Sequence, residues 1–327
     1  MDSSGRGPGG IVGAGHLTLD GFRSADPAMS RCLELARAAC RTDLPLLILG
    51  ETGTGKTFLA RAIHNSSRRT NGPFVSFNAA ALSETLLDSQ LFGHEKGAFT
   101  GAQRQVLGKF ELADRGTLFL DEIADMSPLA QAKILRAVEY GEFERLGSER
   151  LRRADVRLLS ATHWPLRRYA ESDHFRRDLF YRLSGLTLTL PPLRDRPNDL
   201  RELVGAAIAR AAELQGRRID GLSKRAAELL LSYPWPGNLR ELDRVVNAAV
   251  ALTEGNVIEA SAVLVEGTEG GALAAAARLP EEDLSLARIE REHVRRVLDS
   301  VGGNKSRAAR ALGISRTRLL RKLVDSR

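Results

Sequence analysis

Five short apolar runs punctuate the part of the chain before residue 191, and polar or helical stretches separate them. Leu46-Leu47-Ile48-Leu49 is the first. Phe74-Val75-Ser76-Phe77-Asn78 follows Pro73, whose missing N–H is tolerated at a strand start. Thr117-Leu118-Phe119-Leu120-Asp121-Glu122 ends in two carboxylates, Val156 to Thr162 is a fourth run, and Leu186 to Leu190 is closed by Pro191-Pro192. Continuous apolar runs of this length predict strands buried on both faces. Helical stretches lie between them, at 27–41, 57–64 and 127–140; in the first, Met29, Cys32, Leu33, Leu35, Ala36 and Cys40 fall roughly on one side. Strands alternating with helices predict an α/β fold with a covered parallel sheet, whose ligands bind at the carboxyl ends of the strands.

From Asp199 the strand signals stop. Residues 199–214, 223–232 and 238–253 read as helices of a small helical domain. Residues 266–283 (EGTEGGALAAAARLPEED) have little to bury and read as a linker. Residues 284–325 return to helical periodicity, and residues 1–17 are Gly/Ser-rich and expected to be disordered. The expected domains are therefore 18–192, 193–265 and 284–327.

Between the first run and its helix stands Gly50-Glu51-Thr52-Gly53-Thr54-Gly55-Lys56-Thr57. It reads G-x-x-x-x-G-K-[ST], a phosphate-binding loop, and it has the strand before and the helix after that such a loop needs. Unpaired N–H groups and the positive end of the helix dipole favour phosphate there. Lys56 is placed to reach the β- and γ-phosphates of ATP and the Thr57 hydroxyl to hold Mg²⁺. Asp121 and Glu122 close an apolar strand downstream of this loop. There Asp121 is expected to complete the Mg²⁺ shell and Glu122 to polarise the attacking water. Without the loop upstream, the pair would read as a solvated strand end.

Composition narrows the setting. The 327 residues are 43% hydrophobic and 27% charged, ordinary globular material. No apolar run approaches the roughly 18 residues of a membrane helix, and MDSSGRGPGG is not a signal peptide, so no membrane partner is expected. Cys32 and Cys40 are too few for a disulfide framework and suit a reduced, cytoplasmic protein. Neither HExxH nor a Cys/His cluster is present, so no zinc site is expected. The net charge of +7 is concentrated: residues 304–327 carry eight Lys and Arg against Asp325 alone, which accounts for the whole excess. A basic tip on a neutral body points to a nucleic-acid contact.

These motifs, taken in order, resemble the AAA+ ATPases, and within them the bacterial enhancer-binding activators that remodel sigma-54 RNA polymerase. The most specific is Gly97-Ala98-Phe99-Thr100-Gly101-Ala102, within LFGHEKGAFTGA, which other AAA+ branches lack. From the residues alone this is a Gly-bounded mobile loop exposing one aromatic side chain. The resemblance implies that Phe99 and Thr100, in the loop Gly97 to Ala102, touch sigma-54 and move with the nucleotide state. It covers about residues 18–265 and the C-terminal segment, and implies a P-loop core, a helical lid and a ring oligomer, by family a hexamer.

Further roles follow from the resemblance. Asn78 is implied as the partner that holds Glu122 aside until the γ-phosphate is sensed; on its own it reads as a turn cap. Residues 142–153 resemble a second loop, a hairpin beside the first. Ala161-Thr162-His163 stands at sensor I, where many relatives have Asn in the third place. Phe175 to Leu183 matches the arginine-finger segment, so Arg176 and Arg182 are implied to reach a neighbouring subunit's nucleotide. Without a phosphate loop they would read as a basic helix face. Pro234 to Leu242 resembles sensor II, with Arg240 on the same subunit's phosphates and Asn238 as a helix cap. Before the third strand relatives usually have Gly-Gly-Thr and this chain has Arg115-Gly116-Thr117; a positive φ there would strain Arg115.

The C-terminal segment reads as three helices. Leu286 to Val301 ends at Gly302-Gly303, Asn304 caps Lys305 to Leu312, and Gly313 turns the chain into a helix capped by Ser315. This is helix-turn-helix anatomy and also resembles the Fis-type module of these activators. Arg316, Thr317 and Arg318 are expected at base edges, and Arg321, Lys322 and Lys305 at phosphates of upstream, enhancer-type DNA.

The sequence thus reads as an ATP-driven activator whose partners are DNA, the sigma-54 holoenzyme and further copies of itself. No sensing segment precedes the core in this sequence, so control is expected from a separate regulatory protein, from expression level, or from a domain outside this sequence. Two rivals remain: a DNA-binding regulator with a vestigial ATPase, and a AAA+ protein acting on DNA itself. The retained Lys56, Asp121, Glu122, Arg176 and Arg182 disfavour the first, and the Gly97–Ala102 loop the second.

Overall fold

Strand formation follows the apolar runs. In the computed structural model, which describes residues 17–80, 84–265 and Lys305, the five runs become β1 (Leu46–Leu49), β2 (Phe74–Asn78), β3 (Thr117–Asp121), β4 (Arg157–Thr162) and β5 (Leu186–Thr189). They form one parallel sheet in the order β2-β3-β4-β1-β5. The register pairs Asn78 with Asp121 and Leu49 with both Thr162 and Thr189, so the carboxyl ends of the strands lie level.

Period-2 alternation sorts the strand residues between two cores. Leu46, Ile48, Phe119, Leu159 and Leu188 pack with α1 (Pro27–Ala39) and α2 (Lys56–Asn65). Leu47, Leu118, Leu120 and Leu158 face the other way, onto α3 (Glu84–Phe92), α4 (Pro128–Tyr140) and α5 (Arg177–Leu183). Both faces are covered, which is why the strands read as unbroken apolar runs. Cys32 and Cys40 are buried and unpaired, and burial pushes the Cys32 thiol up to about 11.

Helix α3 has no counterpart in the sequence reading. Leu87 and Leu91 are buried, but so are Asp88 and Ser89, while Leu86 is exposed, so no clean apolar stripe marks it. Helices α6 (Pro197–Leu214), α7 (Lys224–Ser232) and α8 (Asn238–Leu252) form the lid. Asp26 and Asp199 tie it to the sheet domain. The Asp199 amide donates to Asp26 Oδ2 at 2.9 Å, and the Ala25 amide to Asp199 Oδ1 at 2.8 Å.

Arg115 does take the left-handed conformation, with φ of 58°. Its amide donates to Asp155 O at 2.8 Å, so the turn cannot relax, while its side chain is exposed. An L-residue there is strained by about 1 kcal/mol relative to glycine. Arg115→Gly is therefore expected to raise the melting temperature by about 2–4 °C. Thermal unfolding checks it, and an unchanged or lower midpoint would show that the turn carries no strain.

Candidate active site

The phosphate loop leaves β1 at Gly50 and enters α2 at Lys56. Lys56 is buried, and its ammonium donates to Gly50 O at 2.8 Å, folding it over its own loop. At Gly53, φ is +82°, and a Cβ would stand 2.2 Å from the Gly237 carbonyl oxygen, so only glycine admits the lid this close. The Thr57 hydroxyl donates to Asp121 Oδ2 at 3.4 Å. Two oxygen donors at this separation fit a Mg²⁺ ion that takes its remaining ligands from phosphate and water. Among the described residues no cluster of three or more His, Cys, Asp or Glu offers a self-sufficient metal site. Burial, and then the negative charge of Glu122, raise the Asp121 carboxyl above its ordinary range. A cation beside it would reverse that penalty.

Glu122 does not continue β3. It adopts the left-handed conformation (φ 53°, ψ 49°), which turns its side chain out of the strand row. Its Oε2 lies 2.8 Å from His163 Nδ1 and accepts the His163 backbone N–H at 3.3 Å; its Oε1 lies 3.7 Å from Lys56 Nζ. Asn78 stands level with Asp121 at the end of β2, but its side-chain oxygen accepts the Ala80 amide at 2.8 Å. Among the described residues no hydrogen bond joins Asn78 to Glu122. In this structure the Asn78 side chain caps the turn at Ala80, and Glu122 pairs with His163 instead.

The lid meets the loop through Asn238, which sequence reasoning places as a helix cap. It is fully buried, with φ of 53°, and it caps nothing in its own helix. Its side-chain oxygen accepts the Leu193 amide at 2.7 Å, and its nitrogen donates to Thr52 O at 3.1 Å and Glu51 Oε2 at 3.2 Å. The cap is supplied by Glu241, whose carboxylate accepts the Gly237 amide at 2.8 Å. Arg194 grips Glu51 with both guanidinium nitrogens at 2.8 and 2.5 Å, which holds the Glu51 carboxyl below its usual range. The sequence offered no signal for this clasp, because its members lie far apart in the chain. Arg240 follows in the first turn of α8, with its Cβ against Gly53.

The Gly97–Ala102 loop springs from a two-residue hairpin in which Gly93 and His94 pair with Leu107 and Val106. Gly97 and Gly101 have φ of +84° and +103°, with open space around each. The loop closes on itself through Gly97 N–H to Ala102 O at 2.8 Å. Phe99 is not simply exposed as its sequence suggests: its ring meets the buried His94 ring edge-on at 5.0 Å, and it is half-buried. The second loop is a hairpin as expected, with Glu142 opposite Arg153. Glu95, Glu111, Arg145 and Arg152 form an ion network beneath both loops, in which Arg145 is buried and forks onto Glu111 at 2.7 and 2.7 Å.

Arg176 precedes the first residue of α5 and Arg182 lies in its last turn, and both are exposed. The Arg176 amide donates to the buried Gln131 Oε1 at 2.8 Å, and its guanidinium forks onto Asp178 at 3.1 and 2.7 Å. Arg182 donates to Glu139 O at 3.3 Å. Neither has a hydrogen bond to residues 50–57 of its own chain among the described contacts. Ser315, Arg316, Thr317, Arg318, Arg321 and Lys322 lie outside the described residues, and Lys305 is exposed.

Comparison with known proteins agrees with this layout. Residues 22–189 match the sigma-54 interaction domain, 194–275 the AAA+ ATPase lid domain and 285–324 the Fis family of bacterial regulatory proteins. The chain is 44% identical to the transcriptional regulatory protein ZraR of Klebsiella oxytoca, covering 93% of this chain and 68% of that protein. It is 42% identical to the Nif-specific regulatory protein of Klebsiella pneumoniae, over 91% of this chain and 57% of the relative. Among solved structures it resembles NtrX from Brucella abortus in complex with ATP, at 33% identity and a TM-score of 0.72 over 93% of this chain and 68% of NtrX. The chain belongs to the sigma-54-dependent transcriptional activators, with an AAA+ P-loop NTPase core, a lid and a Fis-type DNA-binding segment.

Proposed function

We propose that this sigma-54 activator hydrolyses ATP at Gly50–Thr57 and spends the energy on remodelling the closed promoter complex through its Gly97–Ala102 loop. The observation that carries the reading is convergence: the phosphate loop, Asp121, Glu122, His163 and the start of the lid helix meet at one end of the sheet. Lys56 and the loop amides bind the phosphates, and Thr57 with Asp121 holds Mg²⁺. The metal, when bound, neutralises charge on the phosphate oxygens. Glu122 takes a proton from water, whose oxygen bonds to the γ-phosphorus as the bond to the bridging oxygen breaks, releasing ADP and phosphate. Arg176 and Arg182, neither of which hydrogen-bonds its own phosphate loop among the described contacts, serve a neighbouring copy's site, so the working unit is a ring, by family a hexamer. Arg240 contacts the phosphates from the lid of the same copy. The Fis-type segment, 284–327, tethers the assembly to upstream DNA, and Phe99 with Thr100 engages sigma-54.

The test is the specific ATPase rate against protein concentration. A site shared between copies gives a rate per chain that climbs steeply before reaching a plateau. A rate per chain that is flat from the lowest concentration means a self-contained site, and favours a DNA-binding regulator with a residual ATPase.

A further inference from the structure

Gln131, in the first turn of α4, is only 1% exposed. A buried amide costs free energy unless its donor and its acceptor both find partners. Here both do. The Gln131 Nε2 donates to Met126 O at 2.9 Å, and its Oε1 accepts the Arg176 amide at 2.8 Å. Met126 closes the turn Ile123–Asp125 that follows Glu122. Arg176 stands just before α5, so its N–H has no partner within that helix. One buried side chain thus joins the turn after the strand-end carboxylate to the backbone of an exposed arginine. A second tie runs beside it from the same turn. Asp125 Oδ1 accepts the Trp164 indole N–H at 3.3 Å, and the Trp164 and Tyr169 rings pack at 5.1 Å. Tyr169 O then accepts the amides of His174 and Phe175 at 3.0 and 3.2 Å. Phe175 is buried, while the guanidinium one residue on reaches solvent. The backbone at 175–176 is therefore fastened from two directions.

We propose that Gln131 is the positioning residue that seats Arg176 for the neighbouring copy's nucleotide. This rests on the reading that Arg176 serves that site. Gln131 acts through the Arg176 backbone: it fixes where the arginine leaves the fold, and so how far the guanidinium reaches. Asp178 then sets the direction of the fork from the surface. A charge that must meet a transferring phosphoryl group across a junction has no covalent frame there, so its own chain has to supply the precision. Misplacing such a group by an ångström lowers the rate by about 10²-fold. Because Gln131 also holds Met126, it could instead serve its own chain's Glu122 turn. The two roles fall on opposite sides of a shared site, which makes them separable.

Steady-state ATP hydrolysis and equilibrium ATP binding on the full chain test this. Gln131→Ala is expected to lower kcat about 10- to 100-fold, with the Kd for ATP within about threefold. Gln131→Glu keeps the length of the side chain and an oxygen for the Arg176 amide, and is expected to lose less. Mixing then locates the defect. Lys56→Ala keeps Gln131 and Arg176, so adding it to Gln131→Ala is expected to raise the rate. Adding Arg176→Ala is expected to raise nothing, because both variants fail on the same side of the junction. The opposite pattern, a gain with Arg176→Ala and none with Lys56→Ala, overturns the proposal and assigns Gln131 to its own Glu122 turn. Full activity in Gln131→Ala overturns it too, as does equal loss in the two Gln131 variants. Loss of ATP binding in both variants also overturns it, since Gln131 would then be holding the fold together. If Lys56→Ala and Arg176→Ala regain no activity when mixed with each other, the shared-site reading itself falls, and this inference with it.

Discussion

Replacing Arg176 by alanine is expected to lower ATP hydrolysis about 10³-fold or more while ATP still binds. The guanidinium is held at the surface with its fork on Asp178, and burial plays little part there. Its backbone is pinned by Gln131, a buried side chain on α4 that also donates to Met126 O at 2.9 Å. A pre-aimed cation outside its own site is suited to a site presented from elsewhere. The hydrogen bonds from the Arg176 guanidinium hold the Asp178 carboxyl below its ordinary range, so Asp178 stays ionised and keeps the fork in place at neutral pH. In the proposed shared site binding would survive, because Lys56, the loop amides and the lid contacts would come from the other copy. Mixing supplies the decisive measurement. Arg176→Ala keeps an intact loop, and Lys56→Ala keeps an intact arginine. Inactive alone, the two together are expected to regain part of the wild-type rate, because some junctions then combine two good halves. Full activity in Arg176→Ala alone would assign this arginine to the surface.

Why some of this was legible in the chain and some was not has a physical basis. Strands buried on both faces must be apolar throughout, so β1 to β5 stood out, with bounds within a residue or so of those found. The phosphate loop was legible because eight consecutive residues carry it. Helix α3 was not, because Asp88 and Ser89 are buried among its leucines: Asp88 pairs with Lys133, and the Ser89 hydroxyl lies 2.8 Å from His94 Nδ1. A polar residue satisfied by a distant partner looks exposed in sequence. The same holds for the lid clasp. Glu51 lies 143 residues from Arg194 and 187 from Asn238, and nothing local marks them as one unit.

Glu122 shows the limit most clearly. Its place after an apolar strand identified it as a carboxylate near phosphate, and the left-handed backbone that turns it toward His163 was invisible. A positive φ at a glutamate has no local signature, since the surrounding hydrogen bonds impose it. Arg115 is the converse case. Comparison with Gly-Gly-Thr located the strained turn in advance, because glycine is the residue that such a turn selects.

Glu122→Gln is expected to lower kcat for ATP hydrolysis by about 10²- to 10⁴-fold, the range for losing a positioned general base. Glutamine keeps the length of the side chain and an oxygen that accepts the His163 amide, so the turn survives. It removes the charge that takes up the proton. ATP affinity is expected to hold or tighten, and the sign follows from the neighbourhood. After burial, the Glu122 charge is the main influence raising the Asp121 carboxyl. Neutralising it makes Asp121 easier to ionise, and an ionised Asp121 is the better Mg²⁺ ligand. It also releases Lys56 from the oxygen that stands 3.7 Å away. The variant is thus expected to bind ATP and remain loaded, with DNA binding intact, since residues 284–327 are untouched. Equilibrium ATP binding and single-turnover hydrolysis on one preparation measure both halves. Retained hydrolysis would exclude Glu122 as the base and would favour the DNA-binding regulator with a residual ATPase. Lost binding would instead show that Glu122 holds the nucleotide site together through Lys56 and His163, without serving as its base.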